Sequence, residues 1–436
     1  MISMVKADGV AERQLLDRLK SRSGEVDSRV TASVTEMIQR VRQEGDSAVR
    51  EYTIRFDGAA PEHMEVPQEQ IQAAVAGCNP AFLASLRRAA ENIRDFHQRQ
   101  KQQSWLDAKA NGVILGQRIR GLHRVGLYVP GGTAAYPSSV LMNAIPAKIA
   151  GVEELIMVTP PGKGGKPNAD ILAAAAVAGV DRVFLVGGAQ AVAALAYGTE
   201  SIPKVDKIVG PGNIYVATAK RLLYGVVDID MIAGPSEILV IADNTANPEY
   251  LAADLMSQAE HDVLASAILL TTSQQVADQV VAAMERQLAT LSRREMIEKS
   301  LRDFGAVIVC DTLDRAIALG NELAPEHLEL MVENPMEYVG RIDNAGSVFL
   351  GAYAPEPLGD YYAGPNHVLP TSGTARFFSP LSVDSFLKKS SFIYYTRDAL
   401  AQGQKDIITL AEAEGLTAHA NSIRVRFNGQ KEEGSR

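Results

Sequence analysis

Apolar positions near the start of the chain follow the spacing of amphipathic helices. After residue 28 they fall three or four residues apart, at Val30, Val34, Ile38 and Val41. Such spacing places them on one helical face. The step Asn79–Pro80 is typical of a helix start, and the helix that follows should run towards Gln100. The first part of the chain is therefore expected to be helical.

From about residue 124 the pattern changes to short, continuously apolar runs separated by alanine-rich helical segments. The runs are RVGLYVP, ELIMVTP, DRVFLVGG, DKIVG, ILVIA, AILLT, GAVIVC and GSVFLG. Continuous apolar strands alternating with helices indicate parallel sheets covered on both faces. The sequence predicts an α/β fold with two Rossmann-like parallel-sheet domains and helical arms at both ends.

The positions of these runs suggest a domain division. We expect an N-terminal arm over 1–24, and a C-terminal arm over 379–436 where the alternation dissolves into a shorter helical tail. One α/β domain should cover 128–239. Residues 25–127 and 240–378 should form a second, discontinuous α/β domain around it.

Three glycine-containing turns follow the expected strands. They are PGG at 130–132, GGAQA at 187–191 and GPGN at 210–213. A glycine turn that leads into a helix lets backbone N–H groups approach a phosphate, although each turn alone also fits a tight α/β connection. The dinucleotide fingerprint GxGxxG is incomplete, because Tyr215 stands where the third glycine belongs.

Composition narrows the classes of function. The 436 residues carry a net charge of −9 without a Lys/Arg block, which disfavours a nucleic-acid partner or an anionic membrane surface. Cys78 and Cys310 are the two cysteines, so neither a disulfide framework nor a thiolate zinc site is expected. Neither a signal peptide in MISMVKADGV nor a membrane-length apolar run is visible. We expect a cytoplasmic protein.

Four of the seven histidines lie in polar surroundings, in SQAEHD, LAPEHLEL, PLGDYYAGPNH and AEGLTAHA. If SQAEHD is helical, Gln258 and His261 share one face; a polar helix end is the simpler reading. The side chains of Glu326 and His327 diverge as neighbours, so they could perform two proton transfers at one pocket. The same PEH sequence also fits the first turn of a helix.

The segment around Asp360 and His367 has little apolar periodicity, so a long irregular loop is expected there. Further on, Gly415 resembles a helix-ending glycine and Thr417 the next N-cap, which puts His419 in a first helical turn. Zinc would unify the scattered positions, because imidazole, carboxylate and amide groups make a borderline-hard ligand set. The spacing alone matches no short metal motif.

A family resemblance accounts for these motifs together. The segments LYVPGGTAAYPSSVLM, VGGAQAVAALAYGTE, VDKIVGPGN, AGPSEILVIAD, DLMSQAEHD, NELAPEHLEL and AEGLTAHANSIRVR resemble the histidinol dehydrogenases. The similarity extends over roughly residues 25–427. One local departure is HDVLAS after His261, where the family more often has a proline or an acid.

The resemblance implies a zinc- and NAD-dependent enzyme that oxidises L-histidinol through L-histidinaldehyde to L-histidine, the last step of histidine biosynthesis. It implies one Zn²⁺ per site, with the ligands Gln258, His261, Asp360 and His419. Proton transfer is assigned to Glu326 and His327. Substrate contacts fall to those ligands and His327, together with Ser236, His367 and Glu414. NAD⁺ contacts fall to Tyr128, Gln190 and Asn213.

The resemblance also implies a homodimer in which each C-terminal arm carries Glu414 and His419 to the neighbouring subunit's site.

Three other interpretations of the function remain open on the residues alone. A metallohydrolase would use Glu326 to activate zinc-bound water, and NAD dependence would exclude it. A catalytically silent nucleotide-binding protein is disfavoured by the Glu326–His327 pair. Relatives that oxidise other polar alcohols are expected to differ around Ser236, His367 and Glu414.

Overall fold

The computed structural model describes residues 2–20, 28–131 and 136–428. The chain divides into two compact units. The first comprises Met1–Lys101 with Gly121–Phe386, and the second comprises Gln102–Arg120 with Leu387–Arg436.

The strands of the described residues are, in chain order, β1 (Ser3–Lys6), β2 (Trp105–Ala108), β3 (Ile114–Gly121), β4 (Arg124–Tyr128), β5 (Glu154–Thr159), β6 (Arg182–Leu185), β7 (Lys207–Val209), β8 (Asp228–Ile229), β9 (Glu237–Ala242), β10 (Ser266–Thr271), β11 (Gly305–Val309), β12 (His327–Met331), β13 (Ser347–Leu350) and β14 (Leu387–Tyr394).

The α-helices are α1 (Ala11–Lys20), α2 (Ser28–Glu44), α3 (Asp46–Asp57), α4 (Gln68–Ala76), α5 (Pro80–Gln98), α6 (Pro137–Ala150), α7 (Ala169–Ala178), α8 (Gly188–Tyr197), α9 (Ile214–Leu223), α10 (Pro248–Ala259), α11 (Gln274–Leu288), α12 (Arg294–Phe304), α13 (Leu313–Leu323), α14 (Glu356–Tyr361), α15 (Arg397–Ala413) and α16 (Thr417–Arg424). Among the described residues, no helix has both the length and the hydropathy needed to cross a bilayer.

The first unit contains two parallel sheets. A six-stranded sheet has the order β1-β11-β10-β9-β12-β13, and a five-stranded sheet has the order β6-β5-β4-β7-β8. Strands β9, β10 and β12 are buried along their whole length. Helices covering both faces explain why these strands are continuously apolar rather than alternating. The predicted α/β class with two Rossmann-like sheets is confirmed.

Helices α10 and α12 pack on strand β10, and α13 packs on β9. Helices α2, α4 and α5, which the sequence grouped with the later strands, contact α6 to α9 instead. Asn79 caps α5 as its sequence indicates, since its side chain accepts hydrogen bonds from Ala81 and Phe82 N–H. The domain boundaries proposed from the sequence stay a prediction.

Both terminal regions contain helices, as expected, but each also contains a strand that the sequence did not reveal. Residues 3–6 form β1, which pairs with β11 at the edge of the six-stranded sheet. In the second unit, β14 lies beside β3, which pairs antiparallel with β2, and α15 contacts α16. Most of β14 is exposed. Short edge strands carry too little buried apolar sequence to be distinguished from coil.

Candidate active site

Glu326 and His327 lie at the amino edge of the six-stranded sheet. His327 is the first residue of β12, where it pairs with Ile238 on one side and Ser347 on the other. Helix α13 ends at Ala324 in a left-handed conformation with φ 50°, and Pro325 follows, so Glu326 leads directly into the strand. The PEH sequence is therefore a strand entry, and not the first turn of a helix.

One residue of β9, Glu237, holds both side chains through its main-chain groups. The N–H of Glu237 donates to Glu326 Oε2 at 2.9 Å, and the Glu237 carbonyl oxygen accepts from His327 Nδ1 at 2.9 Å. Because a carbonyl oxygen only accepts, Nδ1 carries the imidazole proton and Nε2 keeps its lone pair. Burial lowers the pKa of His327, so the neutral form is favoured.

The Nε2 atom of His327 is buried and has no hydrogen-bond partner among the described residues. It lies 3.8 Å from Glu356 Oε1, while Nδ1 lies 3.6 Å from Glu326 Oε2. A buried lone pair without a donor is unfavourable in the protein alone. The imidazole is thus arranged to accept a proton from a bound molecule.

Helix α10 brings two further predicted residues to this edge. Asn247 caps its start, Pro248 is its first residue, and Gln258 lies in its last turn with His261 just beyond. Gln258 is fully buried, yet neither atom of its amide has a hydrogen-bond partner within 2–20, 28–131 and 136–428. An unpaired buried amide costs roughly 1–3 kcal/mol, so a bound group that satisfies it would offset that cost.

The segment after Pro355 differs from the expected irregular loop. Residues 356–361 form the short helix α14, which places Glu356 and Asp360 one turn apart on the same face. His367 lies beyond it in irregular structure. The Nδ1 atom of His367 lies 3.1 Å from the main-chain carbonyl oxygen of Asp360. Its Nε2 atom lies 3.3 Å from Ser139 Oγ.

His261, Glu356 and Asp360 form a cluster whose ligand atoms lie within 4.8 Å of one another. One imidazole and two carboxylates, close to an unpaired amide on α10, are chemically suited to Zn²⁺. Burial, and then the neighbouring Asp360, raise the pKa of Glu356 to about 10. A cation among these groups would relieve that repulsion.

Glu356 was missed by the sequence reasoning, although a signal existed. An acid four residues before Asp360 shares a helical face with it, but the lack of apolar periodicity in this segment predicted a loop. Two more buried carboxyls lie behind the cluster. Glu329 Oε1 accepts from Glu356 N–H at 2.7 Å, and the second carboxyl is that of Asp254. Burial raises the pKa of both.

The remaining substrate candidates have different positions. Ser236 immediately precedes β9 at the same edge and is half-buried. Glu414 and His419 belong to the second unit, where both are exposed. Gly415 does end α15 with φ 74°, but the N-cap of α16 is Leu416, and Thr417 is the first helical residue. The Thr417 cap prediction is wrong by one position.

The three proposed NAD contacts lie at the carboxyl edge of the five-stranded sheet. Tyr128 ends β4, and its hydroxyl accepts from Gly188 N–H at 3.0 Å. Gln190 is buried in the first turn of α8, and both atoms of its amide lack partners in the part of the chain that the structure describes. Asn213 caps α9 through Oδ1, which leaves its amide N–H groups for a ligand. Gly132 of the PGG turn lies outside the described residues.

Comparison with known proteins agrees with the sequence resemblance. The histidinol dehydrogenase family model matches residues 20–427. The histidinol dehydrogenase of Clostridium acetobutylicum is 56% identical over 427 residues, covering 98% of this chain and 99% of the relative. The corresponding enzyme of Listeria monocytogenes is 56% identical over 415 residues, covering 95% and 97%.

A solved structure gives the same result. The crystal structure of histidinol dehydrogenase from Elizabethkingia anophelis matches with a TM-score of 0.92 and 39% identity, covering 98% of each chain. The family model and the two relatives each cover nearly the whole chain. The chain therefore belongs to the histidinol dehydrogenase family, a family of NAD-dependent oxidoreductases.

Proposed function

We propose that this chain catalyses the zinc-dependent, NAD-linked four-electron oxidation of L-histidinol, through L-histidinaldehyde, to L-histidine in the cytoplasm, as the last step of histidine biosynthesis. The observation that supports it most is the buried, unpartnered Nε2 of His327 beside the cluster of His261, Glu356 and Asp360. A base with a free lone pair next to a cation site is what alcohol oxidation requires.

Gln258, His261 and Asp360, with His419 of the partner subunit, would hold the metal. Bound zinc supplies a positive charge that anchors the substrate's nitrogens, a positioning role. Ser236, His367 and Glu414 of the partner subunit would line the substrate. Glu356 is added to this group because its carboxyl lies between His327 and Asp360.

In the first oxidation His327 Nε2 accepts the hydroxyl proton, while the carbinol C–H bond breaks and its hydride passes to NAD⁺. In the second, Glu326 accepts a proton from water as the water oxygen bonds to the aldehyde carbon, and His327 returns its proton to the aldehyde oxygen, which gives the hydrate. The hydrate then loses its hydride to a second NAD⁺ and its hydroxyl proton to His327. One histidinol, one water and two NAD⁺ thus yield histidine as its carboxylate, two NADH and three protons, which pass to solvent.

The nucleotide would bind at the carboxyl edge of the five-stranded sheet, against Tyr128, Gln190 and Asn213. The start of α9 beside GPGN favours the charge of the pyrophosphate. We accordingly assign NAD to the domain 128–239, and most of the zinc and catalytic residues to 25–127 with 240–378. Hydrogen exchange that slows within 128–239 when NAD⁺ is added checks this assignment.

We further propose a homodimer in which the arm 379–436 is exchanged between subunits. Large apolar side chains of the second unit support it. Ile393 is 74% exposed, Leu410 is 67% exposed and Leu106 is 66% exposed. Such side chains on one unit are typical of a protein interface.

The decisive experiment counts NADH at 340 nm per L-histidinol consumed by the zinc-loaded protein. Two NADH per substrate, lost with a chelator and restored by zinc, supports the proposal. One NADH per substrate removes the assigned role of Glu326. No NADH from a folded, metal-loaded protein contradicts the substrate, and small polyols would then be tested.

A further inference from the structure

The five-stranded sheet contains a buried ion pair that the proposed mechanism does not use. Lys220 Nζ of α9 contacts Asp230 Oδ1, just after β8, and the side chains are only 3% and 1% exposed. Removing two charges from water is costly, and their attraction offsets the cost only where the geometry and added hydrogen bonds are good. The further hydrogen bonds of Lys220 and Asp230 all go to main-chain groups, at Gly210 and Met231.

Two of these hydrogen bonds go to the N–H and the carbonyl oxygen of Gly210, the first residue of the GPGN turn. Asp230 Oδ2 accepts from Gly210 N–H at 2.7 Å, and Lys220 Nζ donates to the Gly210 carbonyl oxygen at 3.0 Å. Asp230 Oδ1 also accepts from Met231 N–H at 2.6 Å. Both polar groups of Gly210 are therefore held by charged partners, which form stronger hydrogen bonds than neutral ones.

Gly210 lies between two of the proposed NAD contacts. Its φ of 110° is in the region that favours glycine, and a Cβ at this position would lie 2.1 Å from the carbonyl oxygen of Tyr128. Three residues later, Asn213 caps α9, the helix that carries Lys220. The position of the turn thus fixes how Asn213 stands relative to Tyr128.

We propose that Lys220 and Asp230 are positioning residues for NAD, which hold the 210–213 turn so that Tyr128 and Asn213 meet the nucleotide together. This inference rests on the proposed NAD role of those two residues. The GPGN turn keeps the two glycines that allow a tight turn and close approach to a pyrophosphate, and the ion pair fixes where that flexible backbone lies.

The test removes both charges at once in K220M/D230N, since a single change would leave an unpaired buried charge. The matched control is K207M/D228N. Lys207 Nζ lies 2.9 Å from Asp228 Oδ2, and these residues pair β7 with β8 in the same sheet, at a different place from Gly210. Both variants lose one Lys and one Asp charge from the same part of the five-stranded sheet and its helices.

The readouts are the Kd of NAD⁺ by calorimetry, and kcat and KM for both substrates. For K220M/D230N we expect Kd and KM for NAD⁺ to rise about tenfold or more, with kcat within about threefold. The KM for histidinol and the zinc content should match the parent. The control pair should retain the parent's NAD⁺ affinity.

Equal NAD⁺ affinity of the two double variants would overturn the inference while leaving the proposed function standing. If K220M/D230N does not fold, Gly210→Ala tests the same turn with the ion pair intact, and unchanged NAD⁺ affinity there also overturns it. A parent protein that neither binds nor reduces NAD⁺ refutes the proposed function itself, before any variant is compared.

Discussion

The two parallel sheets carry their candidate sites at opposite edges. In the five-stranded sheet the candidate residues follow the carboxyl ends of the strands, where α8 and α9 begin. In the six-stranded sheet they lie at the amino ends of β9 and β12, and α10 ends close by. Helix N-termini favour anions and helix C-termini favour cations. Each edge thus has the polarity that its proposed ligand, pyrophosphate or zinc, requires.

The chemical groups differ in the same way. The carboxyl edge offers neutral groups, from Tyr128, Gln190 and Asn213, beside backbone N–H donors. The amino edge concentrates ionisable side chains, including the buried Glu326, His327 and Glu356. Backbone N–H groups suffice to bind a phosphate, whereas a metal ion and a proton transfer need side chains that carry charge. Four experiments probe this contrast, from the largest expected effect to the smallest.

Replacing His327 by Asn should lower kcat about a thousandfold, because a general base contributes roughly 10²–10⁴ in rate. NAD⁺ affinity and zinc content should be unchanged, since the carboxyl edge is untouched. Steady-state kinetics measures the loss. His123→Asn serves as control, because His123 is 58% exposed beside Glu153. Undiminished oxidation of histidinol by the His327 variant would refute the base assignment.

The two unpaired amides allow a crossed test of the edges. Gln258→Leu should weaken zinc binding at least about tenfold and leave NAD⁺ affinity intact. Gln190→Leu should weaken NAD⁺ binding about tenfold and leave zinc intact, since ~1.4 kcal/mol is a factor of ten. Chelator competition and calorimetry give the two constants.

Each leucine variant, without ligands, should also unfold at a higher temperature than the parent, because it removes an unsatisfied buried amide. The two variants are each other's control. If each weakens both ligands, the amides act through general stability and the distinction between the edges is lost.

Two carboxyl groups, one beside each parallel sheet, should make the free energy of unfolding change with pH in opposite directions. Burial raises the pKa of Asp254 to about 6, so between pH ~4 and ~6 the native state binds more protons than the unfolded chain. The free energy of unfolding of metal-free protein then falls as pH rises through this window. Asp254→Asn should remove this loss and be more stable than the parent at pH 8 by roughly 1 kcal/mol or more.

The contrast is Glu65, whose pKa is lowered by Arg182 beside the five-stranded sheet. Its contribution to stability is present above its unfolded pKa and is lost as pH falls, so Glu65→Gln should be less stable than the parent at pH 8. Urea unfolding at pH 5 and pH 8 measures both variants. The same sign of change in both would contradict the assigned shifts.

The smallest effects concern matched helix caps. Asn213 caps α9 at the edge proposed for NAD, and Asn247 caps α10, whose other end approaches the cluster of His261, Glu356 and Asp360. Replacing either by Ala should cost about 1 kcal/mol of stability. Asn213→Ala alone should also raise the Kd for NAD⁺. Denaturant unfolding and calorimetry separate the two, and equal NAD⁺ affinity of the variants would leave Asn213 as a cap only.

The sequence predicted those features that depend on interactions between residues close together in the chain. Strands such as β5 were recognisable because burial on both faces demands a continuous apolar run, here ELIMVT. The start of α5 was recognisable because Asn79 and Pro80, a cap and a first helical residue, are neighbours in the sequence. By contrast β1 has a burial pattern that alternates between partly buried and exposed, so its pairing with β11 depends on residues some 300 positions away.

The site residues show the same limit. Glu326 and His327 stand out as a motif, but nothing local indicates that β9 supplies the peptide that holds them. Glu356 was missed because its position beside Asp360 depends on the short helix α14. The segment lacks the apolar periodicity that would predict a helix there. The lack of partners at Gln258 is a property of the packed interior, since any exposed amide in an unfolded chain is satisfied by water.

The two hydrogen bonds from the main chain of Glu237 to Glu326 and His327 have a practical consequence for mutagenesis. Because both hydrogen bonds come from the main chain, replacing Glu237 by alanine leaves its N–H and its carbonyl in place. An alanine scan would report only the loss of the buried Glu237 carboxylate, one oxygen of which accepts from Ser372 N–H. A change to the main chain is needed to test these bonds. Replacing the Glu237 N–H by an ester oxygen would remove the hydrogen bond to Glu326 and leave the carbonyl that accepts from His327.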